Sequence, residues 1–377
     1  MSDRMQVPFV DLARQFRSIE AELTRAFTDV GRSGGYIMGE RLEAFERDAA
    51  AYLDVAHCLG VADGSDALFL IMKALGIGAG DEVITAPNSF IASAWTIVAT
   101  GATPVFADVA EDLNIDPARV EDAVTPRTRA IMPIHLTGRP ARMDEIDDIA
   151  RRHGLHVIED AAQAIGAVYR GRRVGSLGTA AGFSLHPLKN LGVYGDGGLI
   201  TTNDDILAGH LRQLRNHGLR NRDECDIWGF NSRLDTLQAA LAHVKLAHLE
   251  RWNARCREIA DVYRTHLSAC VEVPIDEPWE TSVYHNFVIR TPARDEVMGS
   301  LKQAGVDTRV HYPIPIHLQR AAAGLGYRRG AFPNAERFAE TMISLPIYPE
   351  LSDREVVYVA ETTRAACAAL TSGGVKR

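Results

Sequence analysis

The sequence predicts an α/β protein with a mostly parallel sheet flanked by helices on both faces. From about residue 60 to 215, short apolar runs typical of strands alternate with helix-like runs, which is the pattern of parallel strands joined by crossover helices. The remainder mixes shorter strands and helices and predicts a smaller α+β domain. We therefore divide the chain into a large domain over residues 1–250, which includes an N-terminal helical segment, and a small C-terminal domain over residues 251–377.

The individual elements follow from periodicity and from helix stop signals. Gly154 is well placed to end a helix, and the long helical pattern that starts at Leu234 leads from the large domain into the small one. Strands are predicted over residues 82–86, 103–107, 130–135, 155–159, 182–185, 198–202 and 283–290. Helices are predicted over residues 63–75 (after a turn), 90–100, 143–153, 234–265, 295–304 and 354–370.

Composition excludes several classes of protein. The 377 residues are 46% hydrophobic and 24% charged, as in an ordinary globular enzyme. The net charge of -8 and the lack of a Lys/Arg block give no support for binding nucleic acid. Five cysteines without a CxxC pair indicate neither a disulfide framework nor a metal site. The N-terminal residues contain no apolar signal core. The longest apolar stretch is interrupted by Gly101 and Pro104 and is unsuited to span a membrane, so a cytoplasmic protein is expected.

Lys189 is the most informative residue for chemistry. It lies in a glycine-bounded loop, 29 positions after Asp160, which ends a predicted strand. Ligands in parallel sheets bind at the carboxyl ends of the strands. A lysine that condenses with an aldehyde cofactor needs a depressed pKa, and a pyridine ring needs an acid near its nitrogen. Gln163, one turn after Asp160, is placed to face the same ligand. An Asp160 that merely caps a helix is an equally weighted alternative.

A phosphate-binding cup is predicted at the start of the 63–75 helix. Gly64 lets the backbone approach an anion, and Ser65 offers its hydroxyl and N–H at the positive end of the helix. Taken alone, an ordinary turn capped by Asp63 or Ser65 is the more frequent explanation of such a sequence. Ser184, five residues before Lys189, is within range of the same phosphate or bonds the backbone of its strand.

Five further residues are candidates for ligand contact. Phe90 either stacks on a planar ring or belongs to the core, and His186 is either a substrate contact or a simple loop histidine. Asn231 stands at a helix entrance and suits anion contact or capping. Tyr312 and His317 flank a proline-stiffened loop that suits a sugar-like ligand, or that is merely rigid. Neither GxGxxG after the first strand nor GxxxxGK[ST] occurs, so nicotinamide and P-loop chemistry lack their fingerprints.

Together these motifs resemble the DegT/DnrJ/EryC1/StrS family of sugar aminotransferases, in the family's order and over almost the whole chain. The resemblance rests on Asp63-Gly-Ser-Asp-Ala-Leu, Pro87-Asn-Ser-Phe-Ile-Ala-Ser, His135-Leu-Thr-Gly, Glu159-Asp-Ala-Ala-Gln-Ala, Lys189-Asn-Leu, Gly195-Asp-Gly-Gly and Gly229-Phe-Asn-Ser-Arg-Leu-Asp. It implies the type I fold of pyridoxal 5'-phosphate enzymes, with a seven-stranded sheet.

The resemblance also implies a role for each candidate. Lys189 and Asp160 would be catalytic, Lys189 by forming the Schiff base with pyridoxal 5'-phosphate and moving protons, and Asp160 by pairing with the ring nitrogen. The other cofactor contacts would be Gln163 on the ring hydroxyl, Phe90 on the ring face, Gly64, Ser65 and Ser184 on the phosphate, and Asn231 in the neighbouring subunit's site. His186, Tyr312 and His317 would meet the sugar. The implied assembly is a homodimer with shared active sites.

The implied reaction is transfer of an amino group from glutamate to a keto-sugar, most often nucleotide-linked, in polysaccharide or antibiotic biosynthesis. The alternatives are an aminotransferase for a non-nucleotide keto-sugar or cyclitol, and a non-catalytic regulatory protein that binds pyridoxal phosphate. Two departures from the family pattern stand out: Asp66 adds negative charge near the phosphate unless it points away, and His186-Pro-Leu is an uncommon lead into Lys189. Dehydratase relatives carry histidine in place of the lysine, so Lys189 argues against that chemistry.

Overall fold

The computed structural model describes residues 5–373. Its strands are β1 (His57–Val61), β2 (Glu82–Thr85), β3 (Thr103–Phe106), β4 (Thr128–Met132), β5 (His156–Asp160), β6 (Val168–Tyr169), β7 (Arg172–Arg173), β8 (Ala180–Ser184), β9 (Gly198–Thr202), β10 (Glu280–Thr281), β11 (Phe287–Arg290) and β12 (Met342–Leu345).

The helices comprise eleven α-helices and three short 3-10 turns within the described residues. They are α1 (Leu12–Ser33), α2 (Glu40–Leu53), α3 (Gly64–Ala74), α4 (Ala92–Thr100), α5 (Pro117–Ala123), α6 (Met143–His153), α7 (Asp205–Leu214), α8 (Thr236–Leu267), α9 (Arg294–Gln303), α10 (Pro333–Thr341) and α11 (Asp353–Gly373), with 3-10 turns over Leu136–Gly138, Ile316–Leu318 and Arg320–Leu325.

Seven strands form the main sheet, in the order β1-β9-β8-β5-β4-β2-β3. The pairings β2–β3, β2–β4, β4–β5 and β5–β8 are parallel, and β9 runs antiparallel to both β8 and β1. Strands such as β2 and β9 are buried along their whole length because helices cover both faces. The predicted mostly parallel sheet is confirmed. Since Asp160 lies opposite Gly182, the carboxyl ends of β5 and β8 adjoin.

Local sequence explains where several elements begin and end. Asp63 caps α3 by accepting hydrogen bonds from the N–H groups of Ser65 and Asp66, and Gly154 ends α6 in the left-handed conformation at φ 65°. The strand predicted over residues 283–290 begins only at Phe287. Upstream of it, the N–H groups of Val283 and Asn286 bond the carbonyls of Gly138 and Thr137, so this stretch is fastened to the large domain instead of entering a ladder.

The small domain has its own core around the antiparallel pair β11–β12 and helices α9 and α11. Val7 is buried in that core and pairs with Val306, so the first described residues pack on the small domain. Helix α8 continues without a break through residue 250 and contributes to both cores. The boundary at residue 250 therefore stays a prediction. No helix within residues 5–373 is both long and apolar enough to cross a bilayer.

Candidate active site

Lys189 is carried to the carboxyl edge of the sheet by the loop that follows β8. A tight turn, in which the Lys189 N–H bonds the carbonyl of His186 at 2.8 Å, directs it there. Burial lowers the pKa of its ammonium to about 8, against the opposing pull of the Asp160 carboxylate. An amine with such a pKa is neutral, and therefore nucleophilic, in a much larger fraction at physiological pH than a surface lysine.

Asp160 is buried at the end of β5 and its carboxylate is fixed on both oxygens. The Ser93 hydroxyl donates to Oδ2 at 2.7 Å and the Ala162 N–H donates to Oδ1 at 3.2 Å. Burial raises the pKa of Asp160, while these two hydrogen bonds and the charge of Lys189 oppose that rise. No α-helix begins here within the described chain, so the helix-cap alternative is not realised. A buried carboxyl in this setting is completed by a cationic partner.

Ser93 was not singled out from the sequence, although the spacing of two serines in its motif could have indicated it. It stands four residues after Ser89 in the Pro87-Asn-Ser-Phe-Ile-Ala-Ser motif, and the two hydroxyl oxygens lie 3.0 Å apart. One helical turn therefore stacks two hydroxyls behind Asp160. Ser93 is buried at the start of α4, the helix after β2, and its hydroxyl reaches Asp160 at the end of β5.

Gln163 has its amide orientation set by two partners. Its Oε1 accepts the Thr137 N–H at 2.7 Å, and its Nε2 donates to the Tyr312 hydroxyl at 3.4 Å. The donor end of the amide therefore faces Tyr312 and the site. A ring hydroxyl or its oxyanion placed there would find a donor that is already positioned.

The predicted phosphate cup forms where α3 meets β8. A Cβ at Gly64 would lie 2.7 Å from the Cβ of Ser184, so only glycine permits this approach. Asp63 Oδ1 accepts the N–H groups of Ser65 and Asp66 at 2.7 and 2.9 Å, so the capping explanation also holds. Burial raises the pKa of Asp66, opposed by a hydrogen bond from Ser232 and assisted by the charge of Asp63.

Phe90 is 54% exposed and therefore not a core aromatic. Its ring centroid lies 5.8 Å from that of Tyr312, whose pKa is raised to about 12 by burial and by the charge of Asp160. Phe90 and Tyr312, which are far apart in the sequence, therefore both lie near Asp160. His186 is exposed on the lysine loop, and its N–H donates to the Ser184 hydroxyl at 3.3 Å.

His317 is placed differently from the other predicted substrate contacts. Its side chain is fully buried, its Nε2 pairs with Glu336 at 3.0 Å, and its ring packs against Phe332 with a centroid distance of 4.8 Å. This arrangement braces the loop that carries Tyr312. A direct contact between His317 and a sugar stays a prediction, and the burial of the ring does not favour it.

Asn231 lies on the exposed segment that leads into α8. Its neighbour Phe230 packs edge-on against Phe69 of α3, at 5.1 Å between centroids, and the Ser232 hydroxyl accepts the Ala62 N–H at 3.3 Å. The segment therefore runs beside the start of α3, with Asn231 itself turned to the outside of this chain.

Two further histidines stand close to Lys189: His285, which no motif indicated, and His311, which directly precedes Tyr312 in the proline-stiffened loop. Burial and the charge of Lys189 lower the pKa of His285 well below its ordinary value and that of His311 to about 4. Both imidazoles are therefore neutral at physiological pH. His285 owes its position to the backbone clamp between residues 283–286 and the turn at Thr137 and Gly138. An isolated histidine such as His285 leaves no local pattern in the sequence.

Comparison with known proteins decides the family. The model of the DegT/DnrJ/EryC1/StrS aminotransferase family matches residues 17–364. The chain belongs to this family. It is 46% identical to a dTDP-3-amino-3,4,6-trideoxy-alpha-D-glucose transaminase of Streptomyces venezuelae, over 97% of the chain and 98% of the relative. It is also 47% identical to a "Pleiotropic regulatory protein" of Geobacillus stearothermophilus, over 95% of the chain and 97% of the relative.

Solved structures give the same result. S. venezuelae DesV in complex with a ketimine intermediate superimposes with a TM-score of 0.94 at 46% identity, covering 96% of this chain and 98% of that chain. As a member of the DegT/DnrJ/EryC1/StrS family, the protein is a pyridoxal-phosphate-dependent aminotransferase with the type I fold. The predictions of fold, enzyme class and cofactor are confirmed.

The residues present fit this cofactor. A glycine-and-hydroxyl cup at a helix start suits a phosphate, the buried Asp160 suits a pyridinium, and the donor end of Gln163 suits a ring hydroxyl. When bound, the cofactor supplies an aldehyde that joins amines and a ring that accepts the electron pair released at the substrate carbon. Lys189 would then hold or release a proton at Nζ, and Asp160 would hold the proton on the ring nitrogen. The role of each residue stays a proposal.

Proposed function

We propose that the protein transfers the amino group of glutamate to a nucleotide-linked keto-sugar, with Lys189 as the covalent anchor and proton carrier. The observation that carries this proposal is the grouping of Lys189, Asp160 and Gln163 at one edge of the sheet, with the pKa of Lys189 lowered to about 8. Gly64, Ser65 and Ser184 hold the phosphate in this proposal, and Phe90 covers the ring.

The substrate class is supported by the names of the relatives. Besides the S. venezuelae transaminase, they include a UDP-N-acetyl-3-dehydro-alpha-D-glucosamine 3-aminotransferase and a UDP-2-acetamido-2-deoxy-3-oxo-D-glucuronate aminotransferase, each 40% identical over 97% of this chain. All three names specify a nucleotide sugar that carries nitrogen on the ring. A keto-sugar without a nucleotide is the weaker alternative.

A homodimer with shared sites is part of the proposal. Trp228 is 95% exposed, and Asn231 is also exposed on the segment that leads into α8. Large apolar side chains at such exposure are typical of a surface that another subunit covers. Asn231 would then reach the partner's phosphate cup. His186 and Tyr312 line the sugar side of the site in this proposal, and the enzyme acts in the cytoplasm.

The test separates the two half-reactions. Glutamate is added to the yellow holoenzyme, and the expected result is loss of its long-wavelength absorbance as the amino group is taken up. The aminated enzyme is then mixed with a panel of nucleotide-linked keto-sugars and with free keto-sugars. Recovery of the absorbance with a nucleotide-linked member alone supports the proposal, and recovery only with a free keto-sugar or cyclitol ketone contradicts it.

The regulatory alternative is kept because the Geobacillus relative is named a pleiotropic regulatory protein. The same spectra decide between the two. A holoprotein that stays yellow with glutamate, and with every other amino donor tested, is a cofactor-binding protein without turnover. The intact set of Lys189, Asp160 and Gln163 favours turnover.

A further inference from the structure

Two fully buried ionisable side chains lie close to the carboxyl edge of the sheet and take no part in the chemistry proposed above. They are His135, which follows β4, and Glu159, which directly precedes Asp160 in β5. The His135 Nε2 lies 3.0 Å from the Glu159 Oε2. Burying such groups is unfavourable unless they are hydrogen-bonded. Their hydrogen bonds therefore show what this pair holds in place.

Glu159 has both carboxylate oxygens filled by N–H donors. Besides His135, the N–H groups of Gly175, Leu177 and Gly178 donate to it at 2.8 to 2.9 Å. Together with the imidazole these donors match the lone-pair positions of a carboxylate. The position of Glu159 is therefore fixed by the strand that carries it and by the loop after β7.

The partners of His135 decide which ring nitrogen carries the proton. The Ala141 N–H donates to Nδ1 at 3.0 Å, so Nδ1 is an acceptor and the proton lies on Nε2, which donates to Glu159. The imidazole thus joins a fixed carboxylate to the far end of the segment 135–141. The His135 backbone N–H donates to the Asp160 carbonyl at 3.0 Å, which fixes the near end.

Between these two anchors the chain makes a tight turn in an unfavourable backbone conformation. Thr137 is left-handed at φ 62°, a conformation that β-branched residues rarely adopt and that persists only where the surroundings enforce it. Asn114 contributes to this enforcement, because its Oδ1 accepts the Leu136 N–H at 3.0 Å and its Nδ2 donates to the Pro140 carbonyl at 3.0 Å. Buried side chains therefore hold the turn at both ends and in the middle.

The turn presents one N–H group to the site. The Thr137 N–H donates to the Gln163 Oε1 at 2.7 Å, which leaves the Gln163 Nε2 directed at Tyr312 and the site. The direction of this N–H depends on the backbone conformation of Thr137. A side-chain amide without such a partner could turn its oxygen to the site instead, and only its nitrogen can donate to an oxyanion.

We propose that His135 is a positioning residue that acts on the cofactor through Gln163. Held by Glu159, it keeps the turn in the conformation in which the Thr137 N–H orients the Gln163 amide. The inference rests on the proposed function, in which Gln163 faces the ring hydroxyl of pyridoxal phosphate. It adds that this hydroxyl is recognised only while the turn at residues 135–141 is held.

The test compares the affinity of the apoprotein for pyridoxal 5'-phosphate with that for 3-deoxypyridoxal 5'-phosphate, the analogue without the ring hydroxyl. The Kd of the analogue divided by the Kd of pyridoxal phosphate measures recognition of the hydroxyl, because the other contacts are common to both. One variant is His135→Gln, whose amide can still donate to Glu159, while nothing replaces Nδ1 for the Ala141 N–H. The second is Glu159→Gln, which puts a donor among the donors, so the test does not depend on one substitution being tolerated.

Glu82→Gln is the matched control for these variants. Glu82 is also buried, but it lies at the amino end of β2 in the same sheet, where it pairs with Thr125 and Arg127. This control is expected to lower Tm and to keep the wild-type ratio of Kd values. His135→Gln and Glu159→Gln are expected to lower the ratio by about tenfold, the loss of one hydrogen bond to a charged ligand atom.

A double-variant cycle shows whether the effect passes through Gln163. Gln163→Ala alone is expected to lower the ratio by about the same tenfold factor. Adding His135→Gln to Gln163→Ala is expected to lower it no further, because the two residues act on the hydroxyl in series.

Two results overturn the inference. One is a wild-type ratio in both His135→Gln and Glu159→Gln despite a lower Tm, which makes the pair a structural support alone. The other is a further loss when His135→Gln is added to Gln163→Ala, which shows an effect that bypasses Gln163. Failure of the role proposed for Gln163 looks different, since Gln163→Ala by itself would then keep the wild-type ratio. That result would overturn both, and it is seen without any change at His135.

Discussion

The carboxyl edge of the sheet differs from the recess on the other side of the lysine loop in how its polar atoms are paired. That recess is lined by the N-terminal segment 9–15, by α8 at residues 252–256 and by residues 284–286 and 347–350. At the edge, Asp160 and Gln163 each have two hydrogen-bond partners within the chain, so their positions are set before any ligand arrives. In the recess, Tyr348, Asn286 and Glu350 each keep one polar atom without a partner in the described chain. Groups whose positions are set before a ligand arrives cost no reorganisation when it binds, which is the arrangement at the edge of the sheet.

The largest effect is expected from replacing Lys189 at the edge of the sheet, with Lys245 as the control. Burial lowers the pKa of both lysines to about 8, but Lys245 donates to the Gly192 carbonyl at 2.7 Å and does not line the recess. Lys189→Met should lower turnover by at least about 10⁴-fold, the loss of nucleophile and proton carrier together. Lys245→Met should keep turnover and the yellow colour. Borohydride followed by peptide mapping should label residue 189 alone. Labelling at residue 245 would refute the assignment.

Two substitutions should reduce the contribution of Asp160 to catalysis by different amounts. Asp160→Asn removes the charge that holds the ring nitrogen protonated and should lower kcat by about 10³-fold. Ser93→Ala keeps the charge of Asp160 but removes the hydrogen bond to Oδ2, along with the contact to the Ser89 hydroxyl. Loss of the bond to Oδ2 raises the pKa of Asp160 and should lower kcat by about tenfold. Both half-reactions should slow together, because both use the same cofactor ring. A Ser93→Ala enzyme that is slowed only in the reaction with the sugar would contradict a role of Ser93 in supporting the cofactor through Asp160.

The smallest effect concerns pH. Since the pKa of Lys189 is lowered to about 8, its amine is protonated below that pH and neutral above it. The rate at which apoprotein takes up pyridoxal phosphate should therefore rise about tenfold per pH unit below the midpoint and level off above it. The Asp160 carboxylate raises the pKa of Lys189, so Asp160→Asn should move the midpoint to lower pH. A midpoint near that of a free lysine would show that the amine is hydrated.

Most residues at the carboxyl edge of the sheet were predictable because they belong to short sequence motifs. The alternation of strands and helices predicted the parallel sheet. The motifs at Gly64, Asp160 and Lys189 lie at the end of β1, β5 and β8 or a few residues beyond it. Phe90 and Tyr312 were also indicated by motif, and their rings lie near each other. His317 shows the limit: its motif marks the loop that carries Tyr312, whereas its own ring is buried against Glu336 and Phe332.

The sequence by itself determined which elements form and which strand ends carry chemistry, because periodicity, caps and glycine turns act over a few residues. Tertiary structure alone decided how polar atoms are partnered. Gln163 meets Tyr312 across 149 positions, and His285 approaches Lys189 only because residues 283–286 are clamped to the turn at Thr137. The recess likewise exists only where four distant segments converge, and no local pattern reports which buried groups such packing leaves for a ligand.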